Sequence, residues 1–215
     1  MPVLGRMRLQ GGSHNLFELP GTGPFDQVRL NIYPDGGVAR LRVYGRGVPD
    51  WNALEKEHQW TDLAAAAHGG LALAASDAYF GARNNLLLPG RPKNMGGGWE
   101  TRRRRGPGYD WIIVQLGAAG LIHAVQVETE HYKGNFPESC SVDGCNTEDC
   151  LTEDLVTGRV PWRPILARTA LRADAIHRFE SELTGDGPIS HVRLNIYPDG
   201  GISRLRVLGS RNLHA

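Results

Sequence analysis

Hydrophobic and polar residues alternate with a period of two in several short segments, which is the pattern of strands with one buried face. The clearest example is Val-Arg-Leu-Asn-Ile-Tyr at 192–197, followed by Pro-Asp-Gly-Gly and then by Arg-Leu-Arg-Val at 204–207. Proline and two glycines in succession are typical of a turn. The segment Val192–Gly209 is therefore predicted to form a β-hairpin.

The same segment occurs a second time in the chain, as Val28–Gly45, and this predicts an internal repeat. The two copies differ only at Val38/Ile202, Ala39/Ser203 and Tyr44/Leu208. Each copy is expected to form the same hairpin and to close a domain. On that basis residues 1–48 are expected to be the C-terminal end of a first repeat, 49–59 a linker, and 60–215 a complete second repeat.

Other segments add to this pattern. Thr61 or Asp62 is expected to cap a short helix that ends near Ala67, and residues 81–92 form a long loop. Trp111–Leu116 and His123–His131 are predicted strands, with His131 last in the inward-facing row. Residues 140–165 are expected to run over the surface. Short strands between turn signals, with little helix, predict an all-β fold, a β-sandwich of jelly-roll type.

Composition narrows the class of protein. Hydrophobic residues make up 40% of the chain and charged residues 22%, which suits a globular core. The sequence contains no apolar run of membrane-spanning length and no secretory signal, so a cytoplasmic protein is expected. A net charge of +1 does not call for nucleic acid or a membrane as partner. Three cysteines at 140, 145 and 150 favour reduced thiols over disulfides or a zinc site.

Local charge is uneven, because residues 91–105 carry six cations and a single acid, Glu100. Arg102–Arg105 are consecutive, so an extended backbone directs some of them inward. A buried arginine needs a carboxylate, because an unpaired buried charge costs several kcal/mol. Either a substrate supplies that carboxylate or the protein does, through Asp77, Asp110 or Glu128.

A second polar cluster follows the strand that ends near His131. Lys133 and Asn135 flank Gly134, a combination suited to recognising anions and amides. A purely structural histidine is the alternative at this position.

Several motifs, taken in order, resemble the allantoicase family. The resemblance covers nearly the whole chain. Its motifs are Ser76–Phe80 with Asn85–Leu87, Gly98–Arg105 with Asp110–Trp111, Glu128–Pro137, and both copies of Val-Arg-Leu-Asn-Ile-Tyr-Pro-Asp-Gly-Gly. Gly97 departs from the resemblance, since the family pattern usually carries an acid before Gly-Trp-Glu. The resemblance implies two related jelly-roll repeats of the galactose-binding-like kind, of which this chain has one complete repeat and the closing hairpin of another.

The resemblance also implies hydrolysis of allantoate to ureidoglycolate and urea. The substrate carboxylate suits an arginine fork, for which Arg102 is the first candidate and Arg103 the second. Departure of urea needs a general acid and a base that activates water, and Glu100 and His131 are the candidates in either assignment. The remaining candidates are substrate-binding residues: Lys133, Asn135, Asp77 and Asn85.

The remaining expectations concern cofactors, self-association and alternative functions. No obligatory cofactor or metal is predicted, while a divalent metal site assembled in space stays open. Self-association into a homo-oligomer is expected, because Leu30, Ile32, Leu41 and Val43 would lack cover in residues 1–48. A noncatalytic module that binds a small ligand is the alternative function. Nucleic-acid binding through the arginine run is disfavoured by the near-neutral total charge.

Overall fold

The computed structural model describes residues 1–19, 23–147 and 150–212. The chain divides into two units, Met1–Tyr44 and Gly45–Ala215. Residues 20–22, 148–149 and 213–215, the last of which close the expected second repeat, lie outside the described residues.

The second unit contains the regular secondary structure of the described chain. Its two short helices are α1 (Trp51–Glu57) and α2 (Thr152–Thr157). Single 3₁₀ turns occur at Ala66–His68, Arg83–Leu87 and Met95–Gly97. The strands are β1 (Thr61–Asp62), β2 (Leu71–Ala75), β3 (Trp99–Glu100), β4 (Asp110–Glu128), β5 (Ser139–Cys145), β6 (Arg163–Ala170), β7 (Ile176–Phe179), β8 (Ile189–Tyr197), β9 (Gly201–Ile202) and β10 (Arg204–Arg211). Across the described ranges, none of the helices has the length and apolar character needed to span a bilayer.

One long strand, β4, organises the sheets. Its first half pairs with β2 and β8, and β5 and β6 continue the sheet beyond β8. Its second half pairs with β10 and β7, and β1 lies beyond β10. All of these pairings are antiparallel. The two layers meet at Gly117, where an added Cβ would lie 1.9 Å from the carbonyl oxygen of His68, so only glycine fits.

The core lies between the two layers. Ile112 and Val114 from the first half of β4 belong to the same buried cluster as Val125 and Val127 from its second half. Alternate residues of β8 and β10 complete this cluster, namely Val192, Leu194, Ile196, Leu205 and Val207. The predicted all-β sandwich is therefore confirmed, and the strand predictions within 111–116 and 123–128 are confirmed as two halves of β4.

The predicted hairpin is wrong for both copies. In the second copy, β8 and β10 do not pair with each other, because β4 lies between them. The connection crosses from one layer to the other, and β9 within it pairs with β3. The alternating pattern identified the buried faces correctly, but it carries no information on which strand lies alongside.

The first copy of the repeated segment has no strand in the structure, and the described part of Met1–Tyr44 contains neither helix nor strand. Leu30 is 46% exposed, whereas its counterpart Leu194 is fully buried. The turn is nevertheless the same, since Gly36 and Gly200 have φ angles of 137° and 138°. Strands need partner strands for their backbone groups, and β8 obtains them from β4 and β5.

Three further predictions need correction. The helix expected from Thr61 or Asp62 to Ala67 is strand β1 followed by one 3₁₀ turn, although Asp62 Oδ1 does accept from the Ala64 amide. Residues 140–165 do not run over the surface throughout, because β5 is buried between β8 and β6. β4 ends at Glu128, so His131 lies in a turn with φ of 72° and does not continue the inward row.

The segment 49–59, expected to be a linker, carries helix α1. The Asp50 side chain caps this helix by accepting from the Ala53 amide. Glu55 forms an ion pair with Arg211 at 3.0 Å, and the Arg211 guanidinium lies 5.7 Å from the Trp51 ring centroid. These contacts attach the helix to β10 within the second unit.

The two environments of one sequence allow a matched test of core packing. We expect Leu194→Ala to lower the free energy of unfolding by about 2–5 kcal/mol, because it leaves a cavity in the core. Leu30→Ala removes the same side chain from an exposed position and should change the free energy by less than about 0.5 kcal/mol. Denaturant unfolding of the full chain measures both values, and equal losses would contradict the assignment of the core.

Candidate functional site

Glu100 and Asn135, two of the residues selected from the sequence, are in direct contact. Asn135 Nδ2 donates to Glu100 Oε1 at 2.5 Å. The backbone brings them together, since Glu100 pairs with Gly201 between β3 and β9, and the Gly201 amide donates to the Asn135 carbonyl oxygen at 2.8 Å. The turn of the second repeated segment therefore fastens the strand of Glu100 to the loop of Asn135.

Close packing at this turn explains its second glycine. A Cβ added to Gly201 would lie 2.0 Å from the ring of Tyr132. The Tyr132 ring is fully buried, and its hydroxyl donates to the Met95 carbonyl oxygen at 2.8 Å. Burial raises the pKa of Tyr132, and the nearby charge of Glu100 raises it further, so the hydroxyl keeps its proton and remains a donor.

Two of the four consecutive arginines form ion pairs with the protein's own carboxylates. Arg102 pairs with Asp77, with its NH2 group 3.2 Å from Oδ1 and its amide 2.6 Å from Oδ2. Arg104 pairs with Asp110 at 2.5 Å. The expectation that the protein supplies a carboxylate to an inward arginine is met by Asp110 for the partly buried Arg104, whereas the Arg102 side chain is 66% exposed. The strand expected to continue through Arg105 ends at Glu100.

Arg103 differs from its neighbours. Within the described ranges, no carboxylate forms an ion pair with it. The residue lines an open cleft of about 480 Å³ together with Asn135 and Phe136. The other walls are formed by Arg104, Gly134, Glu138, Leu171, Pro198 and Asp199. The lining of the cleft therefore combines the exposed cation Arg103 and the residue that binds Glu100, Asn135, with two acidic residues, Glu138 and Asp199.

His131 and Lys133 share an acidic partner, Asp174. The His131 amide donates to Asp174 Oδ1 at 2.7 Å, and Lys133 Nζ lies 3.8 Å from Oδ2. The His131 ring contacts the Pro92 carbonyl oxygen through Nε2 at 2.9 Å. A carbonyl can only accept, so Nε2 carries the proton, and in the neutral ring the lone pair lies on Nδ1.

The turn that carries Asp174 is fastened by two polar side chains. His177 Nε2 accepts from the Arg172 amide at 2.9 Å, while Nδ1 lies 3.1 Å from the Val127 carbonyl oxygen. The Thr129 hydroxyl donates to the Arg172 carbonyl oxygen at 2.6 Å. Burial lowers the pKa of His177, which keeps the ring neutral and able to accept.

The structure thus joins some candidate residues and not others. Glu100 and Asn135 form one pair, and His131 and Lys133 are linked through Asp174; in the part of the chain that is described, no hydrogen bond connects Glu100 with His131. Asn85 takes part in neither pair, and its side-chain amide donates to the Gly98 carbonyl oxygen at 3.0 Å.

Sequence reasoning missed three residues of this region. Asp174 has no motif that marks it, and Tyr132 was visible only as part of the Glu128–Pro137 motif. Asp199 belongs to the Pro-Asp-Gly-Gly turn, where turn chemistry already explains an aspartate. In the structure its Oδ2 also accepts from the Arg104 amide at 2.8 Å, and it lines the cleft.

The cysteines form no disulfide, and the described residues contain no cluster of metal ligands. All three thiols are free, and burial raises the pKa of Cys140 and Cys145 to about 12. Over residues 1–19, 23–147 and 150–212, no group of three or more His, Cys, Asp or Glu could hold a metal ion.

Known proteins with similar sequences identify the family of this chain. A family profile described as "Allantoicase repeat" matches residues 1–48 and 61–212. The chain belongs to the allantoicase family. A curated relative from Pseudomonas fluorescens, described as a probable allantoicase, is 52% identical over 207 residues, or 96% of this chain. The chain spans 62% of the length of that relative.

Solved structures agree with the family assignment. The allantoicase of Saccharomyces cerevisiae aligns with a TM-score of 0.68 and 40% identity, covering 82% of this chain and 49% of its own. A fucolectin from striped bass serum aligns with a TM-score of 0.54 over 72% of this chain and 50% of its own. At 16% identity, the fucolectin indicates the shared jelly-roll sandwich alone.

The tight contact at Gly201 generates a prediction for this member of the family. Gly201→Ala should lower the free energy of unfolding by about 1–3 kcal/mol, because the new methyl group overlaps the Tyr132 ring. Gly37→Ala is the matched control, since no atom lies within 4 Å of a Cβ at that position of the first copy. Denaturant unfolding measures the free energy of unfolding of both variants. Equal values for the two variants would mean that Tyr132 can move away from the turn.

Proposed function

We propose that this chain hydrolyses allantoate to ureidoglycolate and urea. Membership of the allantoicase family supports the reaction, and the cleft supports the substrate class. The observation that carries the proposal is Arg103, a cation without an ion-paired carboxylate among the described residues, on the wall of a cleft shared with Asn135. A substrate with one carboxylate and several amide groups complements a wall of this kind.

Arg103 replaces Arg102 as the residue that receives the substrate carboxylate. Asp77 already pairs with the NH2 group of Arg102, whose guanidinium also lies 5.2 Å from the Tyr79 ring centroid. A second carboxylate would have to compete with Asp77 for Arg102. Arg103 can offer its planar fork without such competition, and a charge-assisted pair of this kind is worth about 1.5–3 kcal/mol.

Glu100 and Asn135 would act at the carbon that loses urea. The Asn135 amide occupies Glu100 Oε1, which directs that carboxylate and leaves Oε2 without a hydrogen-bond partner among the described residues. In the reaction, the oxygen of water forms a bond to the central carbon while the bond from that carbon to one ureido nitrogen breaks. One proton leaves the water and one proton joins the departing nitrogen, so both a base and an acid are required.

His131 is the second titratable group proposed for these transfers. Pro92 accepts from Nε2–H, so Nδ1 is the nitrogen that can take or return a proton. Lys133 lies beside it, with its ammonium group 3.8 Å from Asp174 Oδ2 and otherwise exposed, where a ureido oxygen could contact it. Asp77 and Asn85, proposed with them, act by holding Arg102 and the Gly98 carbonyl.

The setting of the reaction is also proposed. We expect the protein to act in the cytoplasm on a small molecule, with neither nucleic acid nor membrane as partner, in keeping with the net charge of +1. We expect self-association, supported by the exposed apolar side chains of the first copy, Leu30, Ile32, Leu41 and Val43.

Urea release separates an enzyme from a binding module. The full chain should form urea from allantoate in proportion to protein concentration. Saturable heat of allantoate binding without any urea would instead favour the noncatalytic alternative. Neither binding nor urea would reject allantoate as the ligand.

Glu100→Gln should lower kcat for urea release by about 100-fold or more, because an amide cannot exchange the proton. The glutamine carbonyl can still accept from Asn135, so the loop contact is retained. Glu153→Gln, on the exposed side of α2, is the control and should leave kcat unchanged. Activity of Glu100→Gln within about tenfold of the unmodified chain, or ~1.4 kcal/mol of barrier, would remove Glu100 from the chemistry.

Arg103→Gln should raise KM for allantoate by about tenfold or more, since the substrate carboxylate loses its cation. Arg105→Gln removes an exposed cation two residues away that does not line the cleft, and it should leave KM unchanged. Initial rates over a range of allantoate concentrations measure both constants. An equal rise in both variants would indicate a general effect of positive charge, and no rise in either would place carboxylate binding elsewhere.

A further inference from the structure

Residues 90–98 form a loop, and several of its backbone carbonyls accept hydrogen bonds from side chains on other elements. Pro92 accepts from His131, Met95 accepts from Tyr132, and both Gly96 and Gly98 accept from Asn85. The loop leads directly into β3, which carries Glu100. Its course therefore decides where both proposed acid–base residues lie.

Arg204, the first residue of β10, binds both ends of this loop. Its Nε donates to the Gly90 carbonyl oxygen at 2.9 Å, and its NH1 group donates to that of Gly97 at 2.8 Å. A third bond joins NH1 to the carbonyl oxygen of Ser203 at 2.6 Å. One planar guanidinium thus closes the loop, which a lysine ammonium of different shape and reach cannot reproduce.

The environment of Arg204 is unusual for a cation. The residue is 3% exposed, and in the described part of the chain no carboxylate forms an ion pair with it. Burial lowers its pKa, and Arg206 adds to this effect, while Glu130 and Glu128, the cross-strand neighbour of Arg204, act in the opposite direction. Burying a charge without a counter-ion costs several kcal/mol, so packing alone does not favour arginine at this position.

The hydrogen bonds from Arg204 restrict a loop that is rich in glycine and therefore has a flexible backbone. Gly96, Gly97 and Gly98 are consecutive, and a glycine-rich backbone has many conformations to lose on ordering. The carbonyl of Pro92 can orient the His131 ring only if the loop stays in place. The guanidinium supplies that restraint at Gly90 and Gly97, on either side of Pro92 and Met95.

We propose that Arg204 is a positioning residue, which holds the loop 90–98 so that the Pro92 carbonyl fixes the proton of His131 on Nε2. Arg204 does not touch the cleft itself and acts through the loop. The structural claim stands on the contacts alone, and only its effect on catalysis rests on the proposed function.

The repeat provides a matched control for this proposal. Arg40 occupies the equivalent position of the first copy, in the same Arg-Leu-Arg-Val sequence, and it is exposed. Arg204→Lys and Arg40→Lys therefore make the same chemical change in a buried and in an exposed setting.

The main test is nitrogen NMR of the histidine rings in the full chain, with the His131 signals assigned from a His131→Asn variant. We expect the unmodified chain and Arg40→Lys to hold the proton of neutral His131 on Nε2. Arg204→Lys should shift His131 toward a mixture of both tautomers. If urea release is observed, Arg204→Lys should also lower kcat about tenfold with little change in KM.

Each outcome decides the proposal. An unchanged His131 tautomer in folded Arg204→Lys, with only a lower melting temperature, would reduce Arg204 to a stabilising residue and overturn it. A second variant, Arg204→Gln, should give the same mixture of tautomers. If neither variant folds, Arg204 is required for the fold itself, and the positioning role is likewise overturned. A chain that releases no urea rejects the proposed function, yet the NMR result still decides the role of Arg204.

Discussion

The backbone hydrogen bonds of β4 are the constraint on which the rest of the structure depends. This strand pairs with β8 along its first half and with β10 along its second half. The two strands of the repeated segment must therefore lie in different layers, and the connection between them must cross the edge of the sandwich. Glu100 and Asn135 are fastened to that connection at Gly201. The position of the candidate site thus follows from the pairing of β8 and β10 with different halves of β4.

Charge compensation then distinguishes the arginines that follow β3 from one another. The arginine run brings several cations into a small region, where the described carboxylates form ion pairs with two of the four. Asp77 and Asp110 neutralise Arg102 and Arg104, so Arg103 is the member of the run that faces the cleft with its charge uncompensated by the described residues. Arg204 follows the same principle with carbonyl dipoles in place of carboxylates.

The two copies of the repeated segment separate local from non-local effects within one molecule. The turn has the same backbone conformation in both, because proline and glycine set it from within. The strands exist only in the second copy, where β4 and β5 supply partners. Turn formation therefore needs a few neighbouring residues, whereas strand formation needs chain segments far away in the sequence.

The sequence by itself selected Glu100 and Asn135 only as separate candidates. It determined the sandwich class, the repeat, and the buried faces of β4 and β8. Those features depend on alternation and turn chemistry, which act between residues close along the chain. Only the tertiary structure decided that β8 and β10 lie on opposite sides of β4, that β5 is buried, and that His131 turns toward Pro92. It also decided that Arg102 pairs with Asp77, which lies 25 residues earlier, whereas Arg103 has no ion pair among the described residues. Partners at such separations are set by the packing of whole strands, and no local pattern records them.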